Sequence, residues 1–113
     1  MQPNPARLLP LSPQVLHILL ALADGERHGY GIMQEVEART GGEVRLGPGT
    51  LYGAIRRLRN DGLIEEQPGP DARRRNYRLT PFGREVARLE VERLEALYAA
   101  AKAKLLGLSG RSA

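Results

Sequence analysis

From residue 13 onward apolar side chains occupy almost every side of a helical wheel: Val15, Leu16, Ile18, Leu19, Leu20 and Leu22 leave little polar face. A helix that is apolar nearly all round is a buried one, so this segment is expected to be the central helix of the domain. Ser12-Pro13 starts it, with an oxygen to cap the first turn and a residue needing no amide partner. Asp24-Gly25 stops it. The pattern then changes: Gly29, Ile32, Met33, Val36 and Thr40 fall on one stripe, predicting a second helix from His28-Gly29-Tyr30 to Gly41-Gly42. Residues 43–46 read as a short extended piece, punctuated by Gly47-Pro48-Gly49. A third helix is predicted over 48–61, closed by Gly62 as a left-handed cap. Leu51, Ile55 and Leu58 form its inner face, and the opposite face presents Gly49, Gly53, Arg56, Arg57 and Asn60, flanked by Thr50 and Tyr52.

Residues 63–67 and 75–79 read as two strands, with Tyr77 and Leu79 alternating against Asn76 and Arg78. The connection, Pro68-Gly69-Pro70-Asp71-Ala72-Arg73-Arg74, is too polar to pack, so a hairpin with a basic tip is expected. Thr80-Pro81 repeats the cap-then-proline signal and opens a last helix to residue 106, roughly 40 Å long. Its first turns offer Phe82, Val86 and Leu89 to the domain's own core. A second stripe of Val91, Leu94, Tyr98, Ala101 and Leu105 follows, at the alternating three-four spacing of a helix packed along another helix. The preceding residues are too few to cover both stripes, which implies a second copy of the chain. The expected organisation is therefore a flexible N-terminal arm at 1–11, a winged helix-turn-helix at 12–80, a dimerisation helix at 81–106 and a frayed tail at 107–113. In class the fold is mainly α with a small β-hairpin wing.

Composition narrows what such a fold does. With 113 residues there is room for one domain, and 42% hydrophobic with 27% charged residues is the balance of a globular chain. The absence of cysteine excludes disulfides and thiolate chemistry. The longest apolar run, 15–23, is broken by His17 and is too short for a bilayer, and no secretion signal is legible. A cytoplasmic protein without membrane contact is expected. Of the net charge of +4, residues 56–78 carry +3, through seven arginines against four acids. Basic charge concentrated in one stretch suits a polyanionic partner. Arg56 and Arg57 are the expected base-edge or phosphate contacts, since a guanidinium grips guanine or phosphate through two hydrogen bonds. Arg73, Arg74 and Arg75 at the wing tip suit a phosphate or minor-groove clamp. Thr50 either bonds phosphate or caps its helix, Tyr52 either packs or reaches DNA, and Tyr30 opens the second helix beside His28. His28 itself either meets phosphate or satisfies a local backbone group. Two histidines without helical i, i+4 spacing make no metal site, and Gly47, Gly49 and Gly53 lack the spacing and surroundings of a dinucleotide loop. No serine, histidine and acid set reads as a triad, so neither catalysis nor a cofactor is expected.

The residues carry a family resemblance. Leu19-Leu20-Ala21-Leu22 ahead of His28-Gly29-Tyr30-Gly31-Ile32, and Gly49-Thr50-Leu51-Tyr52 leading into Ile55-Arg56-Arg57-Leu58, are its first pieces. Asp61-Gly62-Leu63-Ile64 and Arg74-Arg75-Asn76-Tyr77-Arg78-Leu79-Thr80 followed by Gly83 complete it. Together, over about residues 13–106, these resemble the PadR-like transcriptional regulators, named for the phenolic acid decarboxylase repressor. The resemblance departs at Gly53, where the family often has proline, and in the lack of tryptophan from the last helix. It implies a repressor that dimerises through its C-terminal helix, binds double-stranded DNA and often responds to a small molecule. The expected function is a homodimer on a pseudo-palindromic operator, relieved by a small hydrophobic effector bordered by Leu94 and Tyr98. The alternative from another class is a winged-helix module for protein-protein assembly.

Overall fold

Ser12 Oγ accepts the Val15 amide at 3.2 Å and Pro13 fills the first turn, so α1 (Pro13–Ala21) begins where the capping pair predicts. A computed structural model describes residues 3–69 and 74–107 of the chain. After α1 come β1 (Arg27–His28), α2 (Gly29–Arg39), α3 (Pro48–Asn60), β2 (Ile64–Pro68), β3 (Arg75–Leu79) and α4 (Pro81–Leu106). The strands form one antiparallel sheet in the order β1-β3-β2. Glu66 faces Tyr77 and Pro68 faces Arg75 between β2 and β3, while Arg27 faces Tyr77 across β1 and β3.

The core forms where the helices turn their apolar stripes together. Ile18 and Leu19 of α1, Ile32 and Val36 of α2, and Leu51, Ile55 and Leu58 of α3 are all buried, with Leu63, Ile64, Tyr77, Phe82 and Val86 closing it from the sheet and α4. Each fully buried Leu or Ile contributes roughly 1.5–3 kcal/mol of transfer free energy. Gly62, at φ 79°, ends α3 in the left-handed region, and the Leu63 amide reaches back to the Leu58 carbonyl at 2.9 Å. Thr80 fastens the next junction. Its hydroxyl donates to the Gly62 carbonyl at 2.6 Å and accepts the Gly83 amide at 2.9 Å, capping α4 against the end of α3.

The structure corrects the sequence expectation in three places. The N-terminal arm is not loose over its described part. Pro5–Leu8 form a 3-10 turn capped by Asn4, and Leu8, Leu9 and Leu11 pack on the core. Three leucines within four positions bury apolar area whether or not they show a period. The expected strand at 43–46 is absent, and the sheet's third strand lies before α2, at Arg27–His28. Two polar residues carry no strand pattern. They are held by the free edge of β3 and by the Arg27 side chain, whose Nε donates at 2.7 Å to the Ala21 carbonyl at the end of α1. Residues 43–46 instead follow a loop fastened by Thr40, whose hydroxyl accepts the Val44 amide at 3.0 Å and donates to the Val36 carbonyl at 2.8 Å. Finally, the core stripe of α4 runs Phe82, Val86 and Glu90, with Leu89 only half-buried. Glu90 is the one charged side chain buried among the described residues. It ends the stripe because Arg93 and the Leu11 amide meet its carboxylate.

Candidate nucleic-acid interface

The outer face of α3 follows from its sequence. With Leu51, Ala54, Ile55 and Leu58 turned inward, the 100° step of the helix leaves Thr50, Tyr52, Arg56, Arg57 and Asn60 exposed. Gly47 is the N-cap residue, so Thr50 does not cap this helix and its hydroxyl lies on the open face of the first turn. Arg56 and Arg57 form no ion pair with any described residue. Their charge faces solvent without a carboxylate to hold it.

Beside this face lies an open groove of about 620 Å³ lined by His28, Gly29, Tyr30, Tyr52, Arg74, Arg75 and Tyr77. It gathers five of the residues that the sequence nominated from three separate stretches. His28 is the N-cap of α2, its Nδ1 accepting the Gly31 amide at 2.9 Å. A ring nitrogen that accepts is unprotonated, which assigns the proton of the neutral ring to Nε2 and makes that atom a donor. Capping and anion contact are therefore compatible on one ring. Tyr52 packs on its neighbour without being buried. Its hydroxyl closes on Gly29, where a Cβ would sit only 2.2 Å from that oxygen, yet the side chain stays 42% exposed. Tyr30 is more exposed still. Arg73 lies outside the described residues.

The groove's electrostatics involve residues that sequence reasoning missed. Glu66 on β2 accepts from Arg59 of α3 with one carboxylate oxygen and from Arg75 of β3 with the other. Glu65 accepts Arg78 Nε at 2.6 Å, and Asn76 donates to Glu26 at 3.0 Å. Burial pushes the Tyr77 phenol above its ordinary value, and the Glu66 and Tyr52 charges add to the rise against Arg59 and Arg75. Tyr77 is thus a neutral hydrogen-bonding floor to the groove at any physiological pH. The available signal for Glu66 was an acid in the middle of a strand whose partner strand is basic; only pairing register and helix approach made it specific.

Further along α4, Val91, Leu94, Tyr98 and Leu105 are exposed, from 37% at Leu94 to 82% at Leu105, and Ala101 is half-buried. Leu97 and Leu106, outside the predicted stripe, are also exposed and widen it. Lys102 Nζ lies 5.2 Å from the Tyr98 ring centroid. Among the described residues no cluster of three His, Cys, Asp or Glu suits a metal, and no helix is long and apolar enough to cross a membrane.

A three-helix unit with an arginine-bearing third helix, a three-stranded antiparallel wing and a long C-terminal helix is a winged helix-turn-helix. The model of the transcriptional regulator PadR-like family matches residues 18–89, and the chain belongs to that family. It is 46% identical over 84 residues to the transcriptional regulator Rv3488 of Mycobacterium tuberculosis, covering 73% of this chain and 76% of that protein. It is also 44% identical over 82 residues to an uncharacterized 37.1 kDa protein in transposon TN4556 of Streptomyces fradiae; the match covers 71% of this chain but only 22% of that longer protein. A transcriptional regulator from Clostridium thermocellum superposes with a TM-score of 0.73 at 27% identity, over 84% of this chain and 98% of that one. Bacillus subtilis PadR in complex with operator DNA shares the fold, with a TM-score of 0.61 at 23% identity over 70% of this chain and 46% of that one.

Proposed function

We propose that this regulator is a cytoplasmic repressor that binds a pseudo-palindromic operator as a homodimer. In this reading α3 enters the major groove with Arg56 and Arg57 toward base edges, while Thr50, Tyr52, His28 and Tyr30 hold the phosphates beside it. The wing arginines Arg73, Arg74 and Arg75 follow the backbone into the neighbouring groove. The observation that carries this is the uncompensated arginine face of α3 lying next to a groove walled by donors from α2 and β3. That a family member was seen with operator DNA agrees with it. Dimerisation is assigned to the exposed stripe of α4, and a small hydrophobic effector to the space that Leu94 and Tyr98 of two protomers would border.

The test is a titration against the intergenic DNA upstream of the protein's own coding sequence and against an unrelated duplex, each at two salt concentrations. A preference of about a thousandfold for one duplex is expected. Arg56→Ala or Arg57→Ala should cost about 1–3 kcal/mol of that preference. Equal, salt-insensitive binding to both duplexes would reject the reading and turn attention to protein-protein assembly.

A further inference from the structure

We infer that Glu66 is a positioning residue that sets DNA specificity, because its carboxylate occupies Arg59 and Arg75 as a phosphate would and so withholds them from DNA in arbitrary register. The inference rests on the DNA-binding reading and deepens it. Glu66 is the least exposed member of the trio, its side chain 21% accessible against 43% for Arg59 and 59% for Arg75. Each of its two oxygens takes one guanidinium, so a single anion bridges the recognition helix and the second wing strand. The bridge adjoins the interface: Arg75 lines the groove, Tyr77 directly opposite Glu66 forms its floor, and Tyr52 lies two helical turns before Arg59 on the same face of α3.

Two consequences follow from the chemistry. The trio carries +1 rather than +2, so fewer cations are available to displace counterions from DNA at random. Each guanidinium also has five N–H donors, so one already holding Glu66 still has donors for a phosphate, but only at the place where Glu66 fixes it. A backbone docked in register with α3 meets those donors, and one out of register does not. Exposed ion pairs add little to stability, so the bridge matters through placement and charge, and not through folding.

Glu66→Gln keeps the shape and removes the charge. It is expected to bind an unrelated duplex about five- to tenfold more tightly at low salt, with a log K against log salt slope steeper by about one unit. Operator affinity should change by less than about threefold, so the specificity ratio falls, and the thermal midpoint should shift by no more than about 4 °C. Glu65→Gln is the charge-matched control, since it releases only Arg78, on the other face of β3 from the groove. If Glu66→Gln leaves the slope and unrelated-duplex affinity as in the wild type, or if Glu65→Gln changes them equally, the inference is overturned. Should Glu66→Gln not fold, Glu66→Asp carries the test: it keeps the charge but is too short for both arginines, so the ratio must drop at an unchanged slope, and an unaltered ratio overturns the inference. A wild type that binds neither duplex even at low salt overturns the DNA-binding reading itself, and this inference with it.

Discussion

Gly83 lies in the first turn of α4 where that helix crosses the chain at Leu63, and a Cβ on it would fall 1.9 Å from the Leu63 carbonyl oxygen. The obstacle is backbone, which no rotamer change relieves, so Gly83→Ala should destabilise the protein by about 3 kcal/mol. Gly49, in the first turn of α3, has nothing within 4 Å of its would-be Cβ, and alanine there should stabilise by up to about 0.5–1 kcal/mol. Thermal unfolding of the pair checks this, and equal midpoints would refute the close approach at Gly83. Gly29 differs from both: its neighbour is the hydroxyl end of Tyr52, so a methyl there should move Tyr52 and alter the groove more than the core. The sequence shows all three simply as glycines in or beside helical patterns. Which of them touches backbone, side chain or solvent depends on how α2 meets α3 and how α4 crosses the chain at Leu63.

At the scale of elements, α4 is joined to the N-terminal segment through Glu90. Its oxygens accept Arg93 Nε at 2.7 Å, Arg93 Nη2 at 2.9 Å and the Leu11 amide at 3.3 Å. The Arg93 guanidinium holds the carboxyl below the ordinary glutamate value, outweighing the burial that would raise it, and the Leu11 amide assists. A carboxylate whose folded pKa is depressed stabilises fully above the unfolded value of about 4.3, and that stability disappears as the pH falls through the folded value. Denaturant midpoints should therefore drop as the pH falls below about 4.3, and Glu90→Gln should flatten that part of the profile while costing about 1–2 kcal/mol at neutral pH. A variant with the wild-type acid slope would show that Glu90 is not the linked group. The periodicity placed α4 correctly, at residues 81–106, but it assigned Leu89 to the core where Glu90 sits. Hydrophobicity alone cannot tell an acid that has found a cation and an amide from one that faces water.

For the whole molecule the question is what covers α4 beyond Glu90. Its 26 residues span about 39 Å, and only the first ten or so lie on their own domain. Leu94, Leu97 and Tyr98 then stand exposed on consecutive turns, a contiguous apolar strip of the kind that often marks an interaction surface. Leu94→Asp combined with Leu97→Asp should give a monomer in sedimentation equilibrium and weaken operator binding, leaving each domain folded. A wild type that already sediments as a monomer rejects dimerisation, and a variant that keeps a dimeric wild-type mass puts the interface elsewhere. In the proposed dimer, pairing through α4 would set the half-site separation in the DNA, because the helix pair would hold both α3 helices.

What the sequence determined by itself was local. Ser12-Pro13, Gly62 and Thr80-Pro81 start and stop helices through hydrogen bonds within a few residues, and the 3.6-residue period of α3 put Arg56 and Arg57 outside without any knowledge of the fold. Only the tertiary structure decided the rest. It folded the N-terminal leucines onto the core, drew Arg27–His28 into the sheet and gave Tyr52 its seat on Gly29. It also set Glu66 between Arg59 and Arg75. Each of these joins segments remote in the chain, and neither a period nor a cap records which distant partner a side chain will meet.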